Sequence, residues 1–158
     1  MFRPMRKVRK AISDEAAKEL LFSAKRGIFA VNGDDGYPYA IPVNFYYDRD
    51  AEKIYFHGSK AGHKIDSIKK SDKVCFTVYG NEHFTDGDWA PYSQSAVVFG
   101  RCRLIDDPAI TEEKVRQMAL KYYPTAEEVE VEIAQGIKYA QLYEISIEHL
   151  TGKEVQEK

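Results

Sequence analysis

The sequence predicts a mainly β protein, a six-stranded antiparallel barrel, closed or split, with flanking helices. Three observations lead there. Residues 28–31, 39–47, 53–57, 74–79, 95–106 and 139–147 are rich in Val, Ile, Phe, Tyr and Thr, side chains that suit a pleated, half-buried surface. The first three of these runs are separated only by short turns, which makes them an antiparallel meander. Helix-period segments occur near the start, in the middle and late in the chain, without the strand–helix–strand rhythm of a doubly wound sheet.

Each element has its own local reason. Ser13 is a good N-cap for a helix carrying Ala16, Ala17, Leu20, Leu21 and Ala24 on one stripe, with Gly27 as its stop. Residues 28–31 form a strand, and Asn32-Gly33-Asp34-Asp35-Gly36 is a hairpin-type turn. The partner strand, 39–47, alternates Ile41, Val43, Phe45 and Tyr47. Pro42 sits inside it and cannot donate to a ladder, so it marks an edge, a bulge or a place where a ligand replaces the neighbouring strand. Residues 48–52 turn the chain and 53–57 pair back.

Residues 74–79 read as a strand, 81–92 as a polar loop holding the single tryptophan, Trp89, and 95–106 as a long strand. Pro108 suits the first turn of a helix with Val115, Met118, Ala119 and Tyr122 on one side. Pro124 breaks it. Thr125-Ala126-Glu127-Glu128 approximates a capping box for a short acidic helix ending at Gly136. A last strand over 139–147 carries Ala140, Leu142, Ile145 and Ile147.

With 158 residues, 44% of them apolar and 13% aromatic, the chain is expected to be one domain, residues 1–158, with a core of its own. A net charge of −2 gives no general pull on nucleic acid or anionic lipid. No apolar run approaches membrane-spanning length. The basic start (Arg3, Arg6, Lys7, Arg9, Lys10) has no apolar segment behind it, unlike a secretory leader. A soluble, cytoplasmic protein without nucleic-acid or membrane partners is expected. Cys75 and Cys102 lie in separate strands without metal-ligand spacing. One disulfide or two reduced thiols both fit, and a cytosolic setting favours the thiols. No metal site, Ser–His–acid set or carboxylate pair can be defended.

The richest stretch is Lys-Ile-Tyr-Phe-His-Gly-Ser-Lys-Ala-Gly-His-Lys, residues 53–64. A short strand runs into a loop of Gly, Ser, Lys and His that opens a helix. Free N–H groups at a helix start, glycines that permit close approach, a hydroxyl and two lysines suit an anion such as a phosphate. The spacing matches neither standard phosphate loop. A polar turn opening a solvated basic helix remains the alternative.

Three segments in order then resemble a known family: Gly-Tyr-Pro-Tyr-Ala-Ile-Pro-Val-Asn-Phe-Tyr-Tyr-Asp (36–48), Ile-Tyr-Phe-His-Gly-Ser-Lys-Ala-Gly-His-Lys-Ile-Asp (54–66) and Ser-Ala-Val-Val-Phe-Gly-Arg-Cys (95–102). Together they are similar to the FMN-binding split-barrel superfamily, and within it to the pyridoxamine 5′-phosphate oxidase-related branch that includes nitroimidazole-resistance (Nim-type) reductases. The resemblance implies that the backbone of Ile41, Pro42, Val43, Asn44 and Phe45 faces the isoalloxazine ring. His57, Gly58 and Ser59 would line the ribityl chain and phosphate, and Gly62, His63 and Lys64 would finish the phosphate site. It also implies a homodimer with flavin at the interface, where the partner strand near Ser95 completes the pocket. Two positions depart from the family pattern. Ser93-Gln94-Ser95-Ala96 stands where Tyr-x-Ser-Val is usual, and His63 where lysine is common.

By this resemblance the protein is an FMN-dependent oxidoreductase. It would pass electrons from NADH or NADPH to a small electrophile such as a nitroaromatic or a quinone. The alternative is a non-catalytic flavin- or haem-binding barrel for storage or sensing, with His57 as a flavin or haem contact. The last eleven residues, from Glu148 to Lys158, lack the basic motif of true pyridoxamine 5′-phosphate oxidases, which argues against vitamin B6 oxidation.

Overall fold

In the computed structural model, which describes all 158 residues, one sheet has two edges made from adjacent pieces of the same segment. The strands are β1 (Arg26–Asn32), β2 (Pro38–Asn44), β3 (Tyr46–Asp48), β4 (Lys53–Ser59), β5 (Lys73–His83), β6 (Tyr92–Ile105) and β7 (Ala140–Gln156). They lie in the order β2-β1-β5-β6-β7-β4-β3, every pair antiparallel. Only Phe45 separates β2 from β3, yet these strands end opposite sides of the sheet. The sheet therefore curls until its edges approach, as a split barrel.

The strand count is seven where six were expected, and Phe45 is the reason. Its N–H donates to the Tyr122 hydroxyl at 2.9 Å instead of to a neighbouring strand, which cuts the 39–47 run in two. The meander survives as connectivity, but its middle strand serves two neighbours. Residues 38–44 pair with β1, with Gly27 opposite Val43 and Ile28 opposite Pro42, while residues 46–48 pair with β4. Pro42 is tolerated because β2 is an edge strand with one ladder only.

Four helices flank the sheet: α1 (Asp14–Ser23), α2 (His63–Lys70), α3 (Pro108–Ala119) and α4 (Ala126–Gly136). The caps expected at Ser13 and Thr125 form, and Asp107, which the sequence reading did not single out, caps the helix that opens on Pro108. Ser13 accepts from the Ala16 N–H, Asp107 from those of Ala109 and Ile110, and Thr125 from that of Glu128. α1 stops at extended Ala24, not at Gly27. Gly27 belongs to β1, where a Cβ would fall 2.2 Å from Phe76 Cζ; the aromatic ring crossing the strand leaves room for nothing larger. β7 runs nine residues beyond the expected end at Ile147, because β6 gives it a partner as far as Gln156.

Two cores result from the two faces of β4. Ile54 and Phe56 point into the barrel with Leu21, Phe29, Phe45, Phe76 and Tyr143. Tyr55 points outward into a second cluster with Val115 and Ala119 of α3, Val129 and Ile133 of α4, and Leu142. Both faces of the strand are thus covered. Beside Tyr55 lies Glu144, only 3% exposed. It accepts from the Tyr55 hydroxyl (2.8 Å), Lys53 Nζ (3.0 Å) and Arg103 Nε (2.6 Å). Cys102 faces the barrel interior and Cys75 the opposite side of the sheet, so the two thiols stay unpaired. No helix is long and apolar enough to cross a membrane.

Candidate functional site

The open side of the barrel is where its two edge strands, β2 and β3, meet at the Phe45 corner. Along β2, Ile41 and Val43 turn inward and pack on the core, while Pro42 and Asn44 are exposed. β2 pairs with β1 on one side only, so its far edge carries backbone groups free to bind something else. Phe45 differs from its neighbours. Its ring is fully buried, edge-on to Phe76 at 4.9 Å, and its N–H and C=O are bound by side chains near the end of α3.

β4 ends in His57, Gly58 and Ser59, and the chain then enters α2 through Gly62. Gly62 has φ +130°, a region L side chains avoid, and it caps α2 without any side-chain acceptor. The first N–H groups of α2 are therefore orphaned and point at the loop. The Lys64 side chain lies over Gly58, so near that a Cβ there would sit 3.6 Å from its Nζ. His63 stacks on Tyr39 of β2 with ring centroids 4.0 Å apart, which ties the helix start to the far side of the split.

Asp34 approaches His63 Nε2 at 3.6 Å and Lys70 Nζ at 2.9 Å. The hydrogen bond from Lys70, with that residue's charge, holds the Asp34 carboxyl below the usual range. Lys64 is not drawn into this pair. Against Gly58 also lies the Tyr143 ring, whose buried hydroxyl has no protein partner. Uncapped amides, an unpaired ammonium and an orphaned hydroxyl on the elements around Gly58 fit a phosphate and the polyol chain attached to it.

The outward side of His57 and Ser59 opens on a cleft of about 410 Å3. Its far wall comprises Ala119 and Tyr123 from α3 and the turn after it, Glu132 and Ile133 from α4, and Tyr139 before β7. His57 is exposed by its surface area on the outward face of β4, and the desolvation it meets against the cleft walls lowers its imidazole pKa. The cleft has no lysine or arginine in its lining and one carboxylate, Glu132.

His57, Gly58 and Ser59 thus lead along β4 into Gly62, His63 and Lys64, and the His63–Tyr39 stack sets that helix start against β2, the strand that carries Ile41, Pro42, Val43 and Asn44 and ends beside Phe45. Ser95 does not join them within one chain. It lies opposite Tyr79 and Lys153, at the other end of β7 from the residues that pair with β4. The sequence reading missed the α3–α4 wall and the hold of Lys121 and Tyr122 on Phe45. No local signal marks either, because both depend on where α3 lands.

The sequence matches the family model described as pyridoxamine 5′-phosphate oxidase over residues 13–154. The chain belongs to this family. No curated protein matches the sequence. Several solved structures share the split barrel of the pyridoxamine 5′-phosphate oxidase family. A Bacteroides thetaiotaomicron protein assigned to 5-nitroimidazole antibiotic resistance is 18% identical. The match covers 92% of this chain and 87% of that one, with a TM-score of 0.76. The flavocytochrome Anf3 of Azotobacter vinelandii is 23% identical over 96% of this chain and 72% of its own, with a TM-score of 0.75. A FAD- and haem-binding protein of Mycobacterium smegmatis is 16% identical over 94% and 74%, with a TM-score of 0.71. At these identities the likeness is one of fold.

Proposed function

We propose that this protein is an FMN-dependent oxidoreductase that passes electrons from NADH or NADPH to a small electrophile such as a nitroaromatic or a quinone. The observation that carries the reading is the meeting, at one end of the split, of an uncapped helix start, the unpaired Lys64 ammonium and the unpaired edge of β2. The α2 amides, His63 and Lys64 would hold the phosphate. His57, Gly58 and Ser59 would flank the ribityl chain. Backbone groups of residues 41–44 would orient the ring, with Phe45 as their anchor. FMN held there would supply the redox chemistry between nicotinamide and acceptor. The protein then needs to bind, orient and exclude water, which explains the lack of any nucleophile or acid–base pair. The apolar wall of α3 and α4 beside His57 suits a small aromatic acceptor.

The assembly in this reading is a homodimer, with Ser95 of the partner subunit closing the pocket. Exposed Ile28 and Phe99 on the outer sheet face provide apolar area for the contact. Light scattering at micromolar concentration is expected to give twice the chain mass; a flavin-loaded monomer would remove the interface.

A second reading, a flavin or haem carrier without turnover, is favoured by the two structural relatives whose names include haem or cytochrome. One spectrum separates the two. Flavin absorbance that bleaches with NADH or NADPH and returns on adding a nitroaromatic or quinone is the expected result. A haem Soret band, or a flavin that nicotinamide never reduces, would support the carrier.

A further inference from the structure

Immediately after α3, a cation and a phenol reach into the break between β2 and β3. The half-buried Lys121 ammonium donates to the carbonyl oxygens of Ala24 and Phe45, the latter at 3.3 Å, and lies 4.3 Å from the centre of the Phe45 ring. The Tyr122 hydroxyl accepts from the Phe45 N–H at 2.9 Å. Its single O–H donates to a backbone carbonyl, that of Phe45, also 2.9 Å away, or that of Lys25. No carboxylate pairs with Lys121. Lost solvation first, and the like charge of Lys25 second, bring its pKa down to about 8, so it is still protonated at neutral pH.

A cation held only by carbonyls and a ring face is an expensive arrangement. The packing of α3 does not need it, since Val115, Met118 and Ala119 already bury that helix. Lys121 and Tyr122 converge instead on one residue, which follows Asn44 directly and has its main-chain N–H and C=O both engaged.

We propose that Lys121 and Tyr122 are positioning residues for the flavin: Tyr122 fixes the backbone at Phe45 and so the free edge of β2, while Lys121 keeps a positive charge beside that strand which favours reduced over oxidised flavin. This rests on the reading of β2 as the flavin platform. Reduction adds electrons to the ring, and a nearby fixed cation offsets the added negative charge. An unscreened unit charge at the edge of such a site changes the balance about tenfold, or about 30 mV for a two-electron couple.

The test is the midpoint potential and dissociation constant of FMN bound to wild type, Lys121→Met, Lys121→Arg and Tyr122→Phe, at pH 7. Lys121→Met should lower the potential by the equivalent of about tenfold, and Lys121→Arg should keep it near wild type. If Lys121→Met fails to fold, Lys121→Gln, which retains a donor without the charge, carries the same expectation. Tyr122→Phe keeps the charge, so it should loosen FMN about fivefold with little change in potential. It should also speed amide exchange at Phe45 in flavin-free protein. An unchanged potential in the uncharged variants, with FMN bound, overturns the role of Lys121 and leaves the flavin reading intact. Unchanged affinity and exchange in Tyr122→Phe overturn the role of Tyr122. A wild-type protein that binds no FMN overturns the flavin reading itself, and this inference with it.

Discussion

Lys64→Ala is expected to weaken FMN binding tenfold to a hundredfold and to leave the fold almost untouched. A charge-assisted contact to phosphate contributes about 1.5–3 kcal/mol, which is that range in affinity. The Lys64 ammonium lies over Gly58 at the uncapped start of α2, where a phosphate would also meet the helix amides. The same residue does little for stability. It sits in the first turn, where a positive charge opposes the helix dipole. A fluorescence titration with FMN, beside a thermal melt of flavin-free protein, separates the two roles. Wild-type affinity in the variant would move the phosphate elsewhere, and a large fall in Tm would make Lys64 a structural residue.

Glu144→Leu should cost about 3 kcal/mol of stability, the low end of the about 3–5 kcal/mol range for breaking a buried ion pair. The discount follows from the partners. Arg103 is 68% exposed and Lys53 31% exposed, so both can turn to water when the carboxylate is gone. The buried Tyr55 hydroxyl cannot, and an unmade buried hydrogen bond is the main loss. For a domain of this size the change corresponds to a Tm lower by about 6–12 °C.

Acid adds a second readout. Burial alone would raise the Glu144 pKa, but Arg103, Tyr55 and Lys53 together outweigh it and hold the carboxyl below the ordinary glutamate value. A native pKa below the unfolded one means stability that is complete above the ordinary value. It is lost as pH falls through the lowered native value. Urea midpoints at pH 7 and pH 4 should therefore converge between wild type and Glu144→Leu in acid. A constant gap across that interval would exclude the linkage.

The barrel class, the helix caps and the loop at 57–64 were legible in the chain because each depends on near neighbours. Ser13 and Thr125, both read as caps, bond to amides three residues away. The glycines and basic residues of 58–64 lie in one short loop. What stayed hidden was long-range. The break at Phe45 depends on Tyr122, 77 residues later, and nothing in the alternation of 39–47 announces it. Gly27 reads as a helix stop by local rules, but it is small because Phe76 crosses it. The reach of β7 to Gln156 is set by β6 and not by the polar residues of 148–156, which alone suggest an ending.

The position of β7 has a bearing on how the chain is made. Synthesis delivers β1 to β6 first, but β4 and β6 are not neighbours in the sheet: β7 lies between them, laddered to both. While residues 140–156 are still inside the ribosome, the emerging chain has β4 with only short β3 beside it, and β6 with one side bare. The barrel cannot close until its last strand slides into a slot between two older ones, across loops of about 80 and 35 residues that must be paid for in entropy. Until then, long unpaired strand edges are open to solvent or to a neighbouring nascent chain. A nascent chain of this kind is an expected client for holding chaperones, with its exposure to misassembly concentrated in the seconds before residue 156 emerges.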